Sequence, residues 1–208
     1  MLENNIRPDL CTYNLIIGAC KKISSDAIYY FDQAKISGLN PDVYTYNMII
    51  TACSEHDRYG NNLSESEKYF IQMKNEGITP NIYIYNSLIR SCGNNLTKAE
   101  SYFCQMKSDR ITPDIHTYNI LIKVCDNLLK AESYFTLMKN ENIMPDVYTY
   151  STIIDTCNDI SRAEYYFEQM KKEGIVPNDI VYSTLIKVCG DNSPKAEYYT
   201  NIMKRGNT

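Results

Sequence analysis

The 208-residue chain contains no tryptophan, only five phenylalanines and only two histidines. It also has no run approaching the roughly eighteen apolar residues that a membrane-spanning helix requires. The opening Met1-Leu2-Glu3-Asn4-Asn5-Ile6 lacks the basic start and apolar stretch of a secretory signal. A protein that is neither membrane-spanning nor secreted is expected. Its eight cysteines are too sparse for a disulfide scaffold, and none forms a Cys-x-x-Cys pair. Reduced thiols without zinc follow. His56 and His116 give no metal constellation and no acid–base pair, so neither an enzyme nor a cofactor is expected. Positive charge is not in excess either: 21 Lys and Arg against 25 Asp and Glu leave a net −4. Any nucleic-acid site must be a local patch.

What the sequence does have is tyrosine, nineteen of them, in a repeating frame. Proline is followed five residues later by tyrosine at Pro8/Tyr13, Pro41/Tyr46, Pro80/Tyr85, Pro113/Tyr118, Pro145/Tyr150 and Pro177/Tyr182. The intervals between these prolines are 33, 39, 33, 32 and 32 residues, and a cysteine stands twelve residues after each. Within a unit the apolar residues fall at i, i+3, i+4 and i+7, as in Tyr85, Leu88, Ile89 and Cys92, and again in Ala99, Tyr102, Phe103 and Met106. Each unit therefore holds two amphipathic helices of about three turns, and neither can bury its stripe alone. Stacked helical hairpins bury both. The aligned cysteines fall on the buried stripe and are read as core residues.

The predicted fold is all-α, a right-handed α-solenoid superhelix of about six helix-turn-helix repeats. The boundaries are 10–42, 43–81, 82–114, 115–146, 147–178 and an incomplete 179–208, with residues 1–9 as the tail of a preceding repeat, so the chain reads as a miniature or a fragment. Thirteen residues separate Cys53 from Ser66, where other units have six or seven, so 55–64 is an enlarged loop. Asp or Asn after each proline is placed to cap the first helix. Gly38, Gly77, Asn142 and Gly174 suit a left-handed close to the second helix, and Arg110 stands alone at that position.

With Pro41-Asp-Val-Tyr-Thr-Tyr-Asn-Met-Ile-Ile-Thr-Ala-Cys53 and Ala99-Glu-Ser-Tyr-Phe-Cys-Gln-Met-Lys107 on view, the unit resembles the pentatricopeptide repeat family. The resemblance covers nearly the whole chain. It implies a single-stranded RNA-binding solenoid reading one base per repeat. It also implies base-reading pairs: Asn14 with Asp42, Asn47 with Asn81, Asn86 with Asp114, Asn119 with Asp146, and Ser151 with Asn178, Ser183 lacking a second member. The ligand so implied is 5′-U-(C/U)-U-U-A-3′. A row two residues before each tyrosine, which the family usually fills with Val, holds Cys11, Tyr44, Tyr83, His116, Tyr148 and Ile180 and is read as base-stacking. Family members mostly act in mitochondria or plastids, yet no Arg-rich presequence precedes the first unit.

The family's lysine two residues beyond the cysteine survives only as Lys22. Lys21, Lys22, Arg90, Lys123 and Lys187 are the candidate phosphate contacts, opposed by Asp155. Helix capping alone accounts for the residues after proline, and the tyrosine row would serve equally as a protein-binding surface. The alternative to RNA binding is therefore an α-solenoid protein-interaction scaffold, favoured by the acidic net charge. Self-association is expected through the first repeat, on the view that Ile16, Ile17, Tyr30 and Phe31 lie uncovered.

Overall fold

A computed structural model describes residues 7–20, 23–54, 63–190 and 193–206. Among them are twelve α-helices and no strand. The first helices of the hairpins are α1 (Leu10–Ala19), α3 (Val43–Ser54), α5 (Ile82–Ser91), α7 (Ile115–Val124), α9 (Val147–Asp155) and α11 (Asp179–Cys189). The second helices are α2 (Ser24–Ile36), α4 (Leu63–Asn75), α6 (Leu96–Ser108), α8 (Leu128–Asn140), α10 (Ile160–Lys172) and α12 (Pro194–Gly206). Leu63 and Ser64, expected in the enlarged loop, instead open α4; the rest of that stretch, 55–62, lies outside the described residues. The chain divides into two compact units, 1–112 and 113–208.

In the first unit α1 packs on α3 and α3 on α5, while α2 and α4 each fill the angle against the following first helix. The second unit repeats this with α7 on α9, α9 on α11, and α8 and α10 behind. Phenylalanine makes the joint between neighbours. Phe31 lies edge-on to Tyr46 and Tyr69 of the next hairpin, at centroid distances of 5.4 and 5.0 Å. Phe70 does the same with Tyr85 and Tyr102, Phe135 with Tyr150 and Tyr166, and Phe167 with Tyr182 and Tyr199. Each such aromatic pair contributes about 0.5–1.5 kcal/mol beyond its buried area. This geometry corrects part of one expectation: Ile16 and Tyr30 are half-buried, but Ile17 and Phe31, also expected to lie uncovered, are 0% and 1% exposed. These last two face into the stack and offer no association surface.

Helix ends explain why proline follows seven residues after each of Ala34, Met73, Met106, Met138 and Met170. The carbonyls of Ala34, Met73, Met106, Met138 and Met170 accept from the amides of Leu39, Ile78, Ile111, Ile143 and Ile175, five residues on, as in a Schellman close. Proline then ends the element two residues later. The left-handed position between is taken by Gly38, Gly77, Arg110, Asn142 and Gly174, with φ between 59° and 78°. Arg110 adopts the same geometry as the glycines despite its Cβ.

Of the six aligned cysteines expected in the core, three are buried there, while Cys20, Cys125 and Cys189 are half-buried. Cys53, Cys92 and Cys157 are at most 6% exposed, and none of the eight is in a disulfide. The Sγ atoms of Cys92, Cys125 and Cys157 donate to carbonyls four residues back. Burial pushes the Cys92 thiol up to about 11 and that of Cys157 to about 12. These are inert thiols.

Candidate functional site

Three residue classes that the sequence separates fall on one stripe. The stacking row, the base-reading row and the row four residues further on are spaced i, i+3 and i+7 along each first helix. The stripes read Cys11-Asn14-Gly18, Tyr44-Asn47-Thr51, Tyr83-Asn86-Arg90, His116-Asn119-Lys123, Tyr148-Ser151-Asp155 and Ile180-Ser183-Lys187. The outer members are open to solvent: Tyr44, Tyr83, Tyr148 and Ile180 are 54%, 63%, 49% and 57% exposed, and Cys11, His116, Arg90, Lys123 and Lys187 are exposed as well. Large aromatic rings held in water at the same place on successive helices have no packing reason to be there.

Between them sit the amides. Asn14, Asn86 and Asn119 are buried, Asn47 is half-buried and Ser183 is exposed. The Oδ1 atoms of Asn14, Asn47 and Asn119 are buried without a hydrogen-bond partner. A buried acceptor left in that state costs about 1–3 kcal/mol. A ligand that lets the amide turn outward and pair both its edges removes that cost.

The residues after proline act as caps. Asp42, Asp114 and Asp146 each accept through Oδ1 from the backbone amide and the hydroxyl of Thr45, Thr117 and Thr149, and the hydroxyl accepts in return from the capping residue's own amide. Asn81 and Asn178 cap α5 and α11 through Oδ1. The cap engages one carboxylate oxygen and leaves Oδ2 out of it, so capping and a second role coexist on one side chain. Asp42 heads α3, which packs on the α1 that carries Asn14, and Asp146 heads α9, which packs on the α7 that carries Asn119. Asn86 and Asp114 fall in different compact units.

One stretch assembles all the classes. A cavity of about 220 Å³ between α7, α9 and α11 is lined by Lys123, Tyr148, Ser151, Thr152, Asp155, Thr156 and Thr184. Here the Thr184 hydroxyl donates to the Ile180 carbonyl at 2.8 Å, so its contact with Ser151 at 3.2 Å takes the Ser151 proton. Ser151 Oγ therefore faces a ligand as an acceptor. Lys187 does not stand alone, for its Nζ meets Asp155 Oδ1 at 2.6 Å. Lys21 and Lys22 lie outside the described residues.

The net negative charge does not describe this surface. The first helices carry only two acids, Asp155 and Asp179, against Arg90, Lys123 and Lys187. Acids collect instead at caps and in a ladder that sequence reasoning missed. The hydroxyls of Tyr46, Tyr85 and Tyr118 donate to Glu76, Asp109 and Glu141 past the end of the following second helix. Glu67, Glu132 and Glu164 accept from Tyr102, Tyr166 and Tyr199 one repeat on, each with a basic partner, Lys98, Arg162 or Lys195. The recurring acid just before the left-handed residue and the recurring acid after the alanine were the available signals. In the row two beyond the cysteine, where the resemblance expects lysine, Asn127 and Asp159 cap α8 and α10.

The model of the pentatricopeptide repeat domain matches residues 1–22, 29–95, 94–128 and 133–192. The chain belongs to the pentatricopeptide repeat family. No curated protein matches it by sequence. Among solved structures, the pentatricopeptide repeat protein PPR10 from maize is 24% identical with a TM-score of 0.71, over 98% of this chain and 30% of that one. PPR10 in complex with an 18-nt psaJ RNA element superposes better, with a TM-score of 0.82 at 19% identity over 98% of this chain and 32% of that one. The pentatricopeptide repeat domain of Arabidopsis thaliana protein-only RNase P 1, in complex with tRNA, gives 0.55 at 18% identity over 91% of this chain and 95% of that one. These likenesses establish the fold, an all-α helical-repeat solenoid. The chain spans about a third of the length of PPR10.

Proposed function

We propose that the chain binds single-stranded RNA along the first-helix stripes, one nucleotide per repeat, and acts in RNA stability, processing or translation in an organelle without catalysis of its own. The observation that carries this reading is the stripe itself: an exposed first residue that is a ring in four of the six hairpins, an amide or hydroxyl, and a third residue that is basic in three of them. A ring stacks on any base. The amide offers a donor and an acceptor side by side, which suits the ring N–H and neighbouring carbonyl of uracil. Ser151, an acceptor, suits the exocyclic amine of adenine. The RNA complexes of PPR10 and of the protein-only RNase P 1 repeat domain support the class of ligand. The base order expected is U-(C/U)-U-U-A, with Asp42, Asn81, Asp114, Asp146 and Asn178 as second members of the pairs.

The exposed Tyr44, Tyr83 and Tyr148 equally favour a second reading, a scaffold that holds a protein segment or a second copy of the chain. Replacing Tyr83 and Tyr148 by alanine separates the two when RNA affinity is measured by fluorescence anisotropy. Each substitution is expected to weaken an RNA pentamer by about 1–3 kcal/mol per lost stack. An unchanged affinity contradicts the proposal.

A further inference from the structure

Asp155 is out of place by local electrostatics. It ends α9, where the helix dipole favours a cation, and the equivalent positions of α5, α7 and α11 are Arg90, Lys123 and Lys187. It is bound to Lys187 across the α9–α11 joint at 2.6 Å, with the two side chains 49% and 72% exposed. It also lines, with Lys123 of α7, the cavity that contains Tyr148 and Ser151. Lys123 and Asp155 are the only charged side chains lining that cavity among the described residues.

We propose that Asp155 is a built-in competitor for RNA phosphate: its carboxylate holds the anion position between Lys123 and Lys187, so that a phosphate entering there must first displace it from Lys187. The inference rests on the RNA-binding reading and adds to it a residue that weakens binding without reading a base. Its effect is local to the fifth and sixth hairpins, which carry Asp155 and Lys187. The pairs at Asn14, Asn47, Asn86 and Asn119 then decide whether a ligand is retained.

The two halves of the ion pair are therefore unequal. Lys187 is paired with Asp155 in the native chain, so Lys187→Gln alone weakens binding by less than the same change does once Asp155 is Asn. Asp155→Asn releases Lys187 and removes the repulsion, and tightens binding about fivefold. The gain appears for U-C-U-U-A and for oligo(A) alike. The dependence of log affinity on log salt steepens by about 0.7, the worth of one more phosphate on a single strand. In the Asp155→Asn background, Lys187→Gln removes most of that gain, a coupling that a double-mutant cycle reads directly. A carboxylate at a helix C-terminus is mildly unfavourable, so Asp155→Asn retains the fold, which a melting curve checks.

The experiment is anisotropy titration of both labelled oligonucleotides with the four chains at several salt concentrations. Weakened binding by Asp155→Asn, or a change confined to one oligonucleotide, overturns the inference, because Asp155 then reads the base or the ribose. So does a Lys187→Gln effect of equal size in both backgrounds. If the parent binds RNA and Asp155→Asn is indistinguishable from it, the inference falls while the RNA reading stands. If none of the four chains binds either oligonucleotide, the RNA reading falls and takes the inference with it.

Discussion

The Tyr46 hydroxyl donates to Glu76 Oε2 at 2.7 Å, while Lys35 and Gln72 donate to Oε1 of the same carboxylate at 2.8 and 3.1 Å. Three helices, α2, α3 and α4, are tied by one side chain. Glu173 stands at the same place in its own hairpin and is held by Lys139 at 2.5 Å. Partial burial raises both carboxyls, but the hydrogen bonds and the lysine charge outweigh it and hold them below the ordinary range, as they also do Glu67 beside Lys98 and Tyr102.

A carboxyl whose folded pKa is depressed stabilises the native state fully above its unfolded pKa and loses that contribution as pH falls through the folded value. Stability is therefore expected to be flat near neutrality and to fall progressively below about pH 4.5. Glu76→Gln should flatten the acid limb and lower stability at pH 7 by about 1–2 kcal/mol, because Tyr46 and Lys35 keep only one neutral acceptor. Urea unfolding at pH 7 and pH 4 measures both.

Arg110 occupies the left-handed position that glycine fills in three other hairpins. Arg110→Gly relieves the Cβ strain at the expense of a freer unfolded chain, for a net gain of about 0.5–1 kcal/mol. Thermal melting should show a higher midpoint. Gly77→Arg, placed at φ +75° with no contact within 4 Å, is expected to lose a similar amount, so the sign comes from the backbone and not from crowding.

At the fourth base, Asn119→Ser replaces an amide that presents a donor and an acceptor with a single hydroxyl. Preference there should move from pyrimidine toward purine by about 1 kcal/mol. Competition between U-C-U-U-A and U-C-U-A-A measures it, and a variant that weakens both equally would show that Asn119 only packs.

Arg90 and Lys123 are the proposed phosphate contacts, among the described residues, that are not engaged as Lys187 is by Asp155. If the Lys21 and Lys22 pair supplies one further contact, three contacts in all, log affinity should fall against log salt with a slope of about −2. A slope near −6 would reveal a basic surface absent from the first-helix stripes.

The hairpins were legible because their cause is local and repeated. The i, i+3, i+4, i+7 rows, the proline stops and the glycine closes each have one physical meaning, and six copies reinforce it. The cap at Asp114 could be read from Pro-Asp-x-x-Thr; the Oδ1 of Asn119 left without a partner could not, since it depends on what α7 meets in space. The burial of Ile17 and Phe31 was not legible because a stripe does not say which neighbour covers it, and Phe31 is covered by the hairpin that follows. The Tyr46–Glu76 tie joins residues thirty apart. Its acid recurs at a fixed place, but nothing in one sequence alone ties a surface-looking Glu to a buried Tyr. Asp155 could be read as opposing the basic row, and only the α9–α11 packing brings its carboxylate onto Lys187.

Affinity of the parent chain for U-C-U-U-A against oligo(A) of equal length, at fixed salt, tests the central claim most directly. The account predicts tighter binding of the mixed sequence, with the difference lost when Asn14, Asn86 and Asn119 are all changed to serine. Equal affinity for the two oligonucleotides would contradict it.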